Sequence, residues 1–139
     1  MFKELPEKRF PSHFDITHAI TLGTAYTMDK LLFAAGLNWR TGKPLTPISG
    51  NEVFDGKIAY GNANSDRQRD YLRLDLSAKY LFDWGKTIKA RFGVAIWNLL
   101  DRDNTINTFY RPDPFGKARE VQQSSLGLTP NASFRLSFK

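Results

Sequence analysis

The residues that could do chemistry are few and fall in two places. Near the start stand His13, Asp15 and His18, imidazoles and a carboxylate of the kind that hold zinc or iron. Their spacing matches no helical ligand pair and the chain has no cysteine to assist, so a solvated approach to the first strand is the simpler reading. The second place is Arg73, Asp75 and Lys79. A carboxylate between two cations could handle protons. Same-face neighbours of opposite sign, however, more often form a structural ladder on a sheet. The chain has no convincing Ser/His/Asp order, no cysteine nucleophile and no phosphate-cradling glycine loop. The expectation is a protein that is not an enzyme and holds neither cofactor nor metal.

The elements that carry these residues are strands. Over residues 71–82, Leu72, Leu74, Leu76, Ala78, Tyr80 and Phe82 alternate with Tyr71, Arg73, Asp75, Ser77, Lys79 and Leu81. A period of two is the mark of a strand with one apolar side. The same alternation runs over 16–27 and 31–40, joined by a short polar turn, and over 88–97, where Phe92, Val94 and Ile96 oppose Lys89, Arg91 and Gly93. Gly85 can take the positive φ of the tight turn at 83–86. After a polar turn at 98–104 comes a weaker strand over 105–111. A return through 117–123 leads into a long final strand over 124–138, where Phe134, Leu136 and Phe138 alternate with Ser133, Arg135 and Ser137. Residues 41–70, punctuated by Gly42, Pro44, Pro47, Gly50, Gly56 and Gly61, form the longest irregular stretch. Such a connection is either functional or a solvated link whose composition reflects turn chemistry.

The 139 residues fill one domain, and no run approaches the roughly 18 apolar residues of a membrane helix. A strand wall spreads its apolar residues over alternate positions and needs no such run. The net charge of +6 comes from scattered Lys and Arg without a compact run, which argues against a nucleic-acid partner. The segment from Met1 to Pro11 is charged and lacks the apolar core of a signal peptide. The final strand exceeds the roughly five or six residues usual in soluble proteins and suits a bilayer, which a tilted strand crosses in about nine to eleven. A charge at the lipid midplane costs about 2–4 kcal/mol. Leu72, Leu74, Leu76, Phe92, Val94, Ile96, Phe134, Leu136 and Phe138 are therefore expected to face lipid, and Arg73, Asp75, Lys79, Arg91 and Arg135 the lumen. Tyr26, Trp39, Tyr80 and Phe138 lie toward strand ends on the apolar parity, as an interfacial girdle would.

These motifs stand in a familiar order. The stretch from Tyr71 through Arg73, Asp75 and Lys79 to Tyr80, a short glycine turn, then Asn98-Leu99-Leu100-Asp101-Arg102, then 126–138 ending on Phe134, Leu136 and Phe138 resembles the carboxy-terminal strands of TonB-dependent outer-membrane receptors. Phe14 to His18 and Gly42 to Pro47 look like the strand entrance and loop that precede them. The resemblance covers the chain from about Phe10 onward and implies an all-β fold. That fold is the carboxy-terminal portion, spanning 1–139, of an antiparallel transmembrane barrel in the outer membrane of a Gram-negative bacterium. It implies part of a receptor for energy-coupled uptake of an iron chelate, vitamin or glycan. Its partners would be outer-membrane lipid, the rest of the barrel and its plug, the TonB energising complex, and the barrel-assembly machinery. The last would read Phe134, Leu136 and Phe138, while Lys139 falls on the polar parity.

The pattern contains six strands, whereas the smallest closed outer-membrane barrels have about eight, and open edges in lipid leave backbone groups unpaired. The chain is therefore expected to be incomplete alone, either the end of a longer protein or one of several copies closing a barrel. Counting six strands back from Phe138 puts the 41–70 connection on the same side as the terminus, although long loops normally face the other way. The competing expectation is a small soluble lipocalin-like ligand-binding barrel.

Overall fold

The computed structural model describes residues 11–138, so Lys139 and the leading segment up to Phe10 lie outside the described residues. In chain order the strands are β1 (Ala19–Met28), β2 (Leu31–Arg40), β3 (Pro44–Leu45), β4 (Ile48–Phe54), β5 (Lys57–Tyr60) and β6 (Asp66–Arg67). They continue as β7 (Tyr71–Trp84), β8 (Ile88–Trp97), β9 (Thr105–Pro112), β10 (Ala118–Ser124) and β11 (Thr129–Phe138). The fold is all-β. Its body is a five-stranded antiparallel sheet in the order β1-β2-β7-β8-β11, and three two-stranded ribbons pair β3 with β6, β4 with β5, and β9 with β10.

The ten-residue lengths of β1, β2, β8 and β11 follow from the alternation and its stops. Met28 pairs with Leu31 across a two-residue turn whose first member, Asp29, sits at φ 52°. Asp tolerates this left-handed conformation better than most residues. Gly85, at φ 71°, opens the turn between β7 and β8.

Three expectations are corrected by the pairing. The segment expected as a fifth wall strand forms β9 instead and pairs only with β10, outside the main sheet. The long final strand expected over 124–138 is shortened to β11, with only Ser124 joining β10, because the Asp101 carboxylate takes the Leu128 N–H (2.8 Å) and the Asn98 side-chain amide donates to the Leu126 carbonyl (3.2 Å). Backbone groups so engaged cannot extend a ladder. Residues 41–70 are ordered by β3–β6 and by a β4–β5 hairpin that turns on Asp55 and Gly56, at φ 52° and 70°. Two consecutive positive φ values are what the tightest hairpin turns require.

With five strands in the main sheet, its two ends sort cleanly. The two short turns and Phe138 lie at one end, here the turn end, and both long connections, 41–70 and 98–128, lie at the other, the loop end. The 41–70 connection is thus opposite the final residue of β11, which corrects the side that a six-strand count assigned to it. The outer strands β1 and β11 run in the same direction, since four antiparallel steps separate them.

The strand ends also step. Met28 lies level with Leu31, Tyr80, Phe92 and Phe134 along one row of partners, and β7 runs four residues further, to Trp84, level with Ile88 and Phe138. The offset falls at the single step from β2 to β7.

No closed barrel is formed among the described residues: β1 and β11 each have one sheet neighbour. The buried hydrophobic core among them is Ala90 alone. The chain exposes 11017 Å² at a mass of 15.9 kDa, against about 7,400 Å² for a folded monomer of that mass. The excess is larger than the roughly 2,100 Å² that residues 1–10 and 139 could contribute at full extension.

Candidate functional site

The four registers of the main sheet bring every apolar parity onto one face. Leu72, Leu74 and Leu76 stand opposite Trp39, Leu37 and Ala35; Leu76 also pairs with Ile96; and Phe92 pairs with Tyr80 and Phe134. Val94 pairs with Ala78 and Ala132, while Leu136 and Phe138 pair with Ala90 and Ile88. On this face lies a broad, shallow apolar hollow of about 720 Å³, floored by the small side chains of Thr24, Ala35, Ala78 and Ala132. Tyr26, Tyr80 and Phe138 lie toward the turn end of the same face and Trp39 toward the loop end. Tyr80 stacks on Phe82 at 5.7 Å.

Arg73, Asp75, Lys79, Arg91 and Arg135 share the opposite face. They divide into two groups. Toward the loop end, Arg73 Nε donates to Asp75 Oδ1 at 2.7 Å, and the same oxygen accepts the Asn98 N–H at 2.9 Å. The Arg73 guanidinium lies 5.6 Å from the Trp97 ring centroid, and Arg40 lies 4.5 Å over Tyr71, both within cation–π range. Asp75 is therefore a strut that ties β7 to the end of β8. Lys79 makes no ion pair with it, so the ladder read along this strand reduces to the Arg73–Asp75 pair. Arg91 and Arg135, toward the turn end, face each other across the β8–β11 pair.

A latch at the loop end was only faintly visible in the sequence. Asn98 and Asn104 are both 1% exposed, the most buried polar side chains among the described residues. Asn98, at φ 52°, donates from Nδ2 to the carbonyls of Arg102 (2.9 Å) and Leu126 (3.2 Å). Asn104 accepts from the Leu72 N–H (2.9 Å) and donates to the Leu72 carbonyl (2.8 Å), imitating a neighbouring strand at the head of β7. Arg102 reaches the Asp70 carbonyl at 3.1 Å. The motif from Asn98 to Arg102 is thus a knot of backbone satisfaction, and its signal was the Asn and Asp that can adopt left-handed φ.

The second loop joins this latch. A Cβ on Gly42 would fall 1.7 Å from the Gln68 carbonyl oxygen, so only glycine lets these backbones approach. Arg67 donates to the Gly42 carbonyl (3.0 Å) and forms an ion pair with Asp15 (2.9 Å). Asp15 is thereby committed to a cation, and no group of three His, Cys, Asp or Glu side chains comes together among the described residues. His13 packs edge-on against Phe14, and the His18 N–H bonds the Thr41 hydroxyl. The β4–β5 and β9–β10 hairpins meet through Val53 N–H and the Gly116 carbonyl (2.8 Å) and through Tyr60 against Tyr110 (6.2 Å). Burial raises the Tyr110 pKa above its ordinary value, with Glu120, Asp66 and Tyr60 adding to the effect.

Comparison of the chain with protein families, curated proteins and solved structures finds no match.

Proposed function

We propose that the chain is a section of wall in a transmembrane β-barrel of the outer membrane. The observation that carries this reading is one continuous apolar face across five strands, with short turns at one end and long, ordered connections at the other. Outer-membrane barrels have that asymmetry, with short turns on the periplasmic side and long loops outside. Strands of such barrels tilt by about 35–45°, and ten residues at about 3.3 Å each then rise about 23–27 Å, close to the roughly 25 Å apolar band. Leu72, Leu74, Leu76, Phe92, Val94, Ile96, Phe134, Leu136 and Phe138 then meet lipid, and the charged face meets the lumen.

Because β1 and β11 run the same way, copies of this sheet in one orientation would join through parallel seams. Barrels of this type are antiparallel throughout. An odd number of further strands, supplied by another part of the same protein, closes the wall without such a seam. The order of motifs resembling TonB-dependent receptors supports a finer reading: part of a receptor for energy-coupled nutrient uptake. In that reading the rest of the barrel, its plug, the TonB complex and the assembly machinery are partners, and β11 with Phe134, Leu136 and Phe138 is the edge offered for assembly. A soluble lipocalin-like barrel would instead turn the apolar face inward.

Dilution from urea separates the two. In plain buffer the chain should aggregate through its apolar face and free edges, whereas with phospholipid vesicles it should become strand-rich and protease-protected. A monodisperse monomer that melts cooperatively in plain buffer would overturn the membrane reading.

A further inference from the structure

The polar face carries an electrostatic anomaly near its turn end. Arg91 and Arg135 are direct cross-strand partners, an arrangement in which like charges repel and destabilise the sheet. Their neighbours among the described residues do not relieve them. Arg91 has Leu81 opposite it on β7, and Asp83 is opposite Lys89. The two ion pairs formed among the described residues, Arg67–Asp15 and Arg73–Asp75, involve neither arginine. Arg91 and Arg135 line a hollow of about 470 Å³ together with Lys30 and Lys89. Asp29 and Asp83 are the carboxylates on its wall, so four cations against two leave an excess of two positive charges. Thr27 and Ser137 add hydroxyls, and Leu32 and Leu81 add apolar wall.

Two arginines paired across adjacent strands on one face can bring two N–H forks to a single anion, and such forks match carboxylate and phosphate oxygens. We propose that this hollow is an oxyanion site, in which a carboxylate or phosphate group sits between Arg91 and Arg135 and removes their repulsion. The volume is that of a small-molecule pocket, which runs from about 300 to 1,000 Å³. Arg91, Arg135 and Lys89 stand on the polar face, whichever medium covers the apolar one.

The test is a titration of the full chain in detergent micelles at low salt with inorganic phosphate, with succinate, and with chloride as control. The arginine Nε–H resonances are followed, with strand amides of β8 and β11 read in the same samples. Saturable shifts at Arg91 and Arg135 are expected, with affinity at least tenfold weaker in Arg135→Gln and unchanged in Arg119→Gln on the distant β10. Arg91→Gln repeats the loss should Arg135→Gln fail to form the sheet. Saturation by phosphate but not succinate assigns a phosphate ligand, and the converse a carboxylate. Unsaturable shifts spread over all arginines, or full affinity in both glutamine variants, would overturn the proposal.

Discussion

Placing one arginine on either of two adjacent residues tests which face of the sheet meets lipid. The midpoint of β7, the middle strand, lies between Ser77 and Ala78. Leu76 and Ser77 are therefore both within about 4 Å of mid-height, but they point to opposite faces. Leu76 stands between Ala35 and Ile96 on the apolar face, and Ser77 between Ala34 and Ala95 on the polar one. Leu76→Arg should cost about 2–4 kcal/mol of folding free energy in a bilayer, a roughly 30- to 800-fold loss in the folded-to-unfolded ratio. Ser77→Arg has only small alanine side chains across from it and a polar medium above, and should change stability by less than about 0.5 kcal/mol. Urea titrations in phospholipid vesicles, read by emission of Trp39, Trp84 and Trp97, measure both. Equal costs for the two variants, or a larger cost for Ser77→Arg, would refute the assignment of faces.

Two further outcomes follow from the loop end. Asn104→Ala removes both partners of the Leu72 backbone. It should cost about 1–3 kcal/mol for each group left unpaired, visible as a lower urea midpoint, whereas an unchanged midpoint would show that the latch is idle. Tyr110, whose pKa is raised by burial and by Glu120, Asp66 and Tyr60, stays protonated in the fold at pH values where the unfolded chain has already ionised. Stability contributed there is full below pH ~10 and falls as pH rises from ~10 toward the higher folded value. Protection of β9–β10 amides should decline over that window, and Glu120→Gln should shrink the effect. An unaltered decline in that variant would remove Glu120 from the account.

Much of the sheet was legible from local pattern. A period of two depends only on neighbours in the chain, so the two sides of each strand, the Asp29 turn and the Gly85 turn could be read from residue types alone. The grouping of Arg73 with Asp75 was likewise visible, because residues two apart on a strand share a face. Tertiary structure decided what those sides add up to. Register depends on hydrogen bonds between segments far apart in the chain, and a slip of one residue would have put Arg91 among the leucines. Alternation over 105–111 and 124–128 looked like wall. Yet β9 found β10 as its partner, and Asp101 and Asn98 drew the backbone at 126–128 out of the ladder. The 41–70 connection looked irregular because its order comes from contacts at long range, Gly42 against Gln68 and Arg67 against Asp15, which no local period announces. The opposition of Arg91 and Arg135, forty-four positions apart, likewise exists only once β8 and β11 are in register.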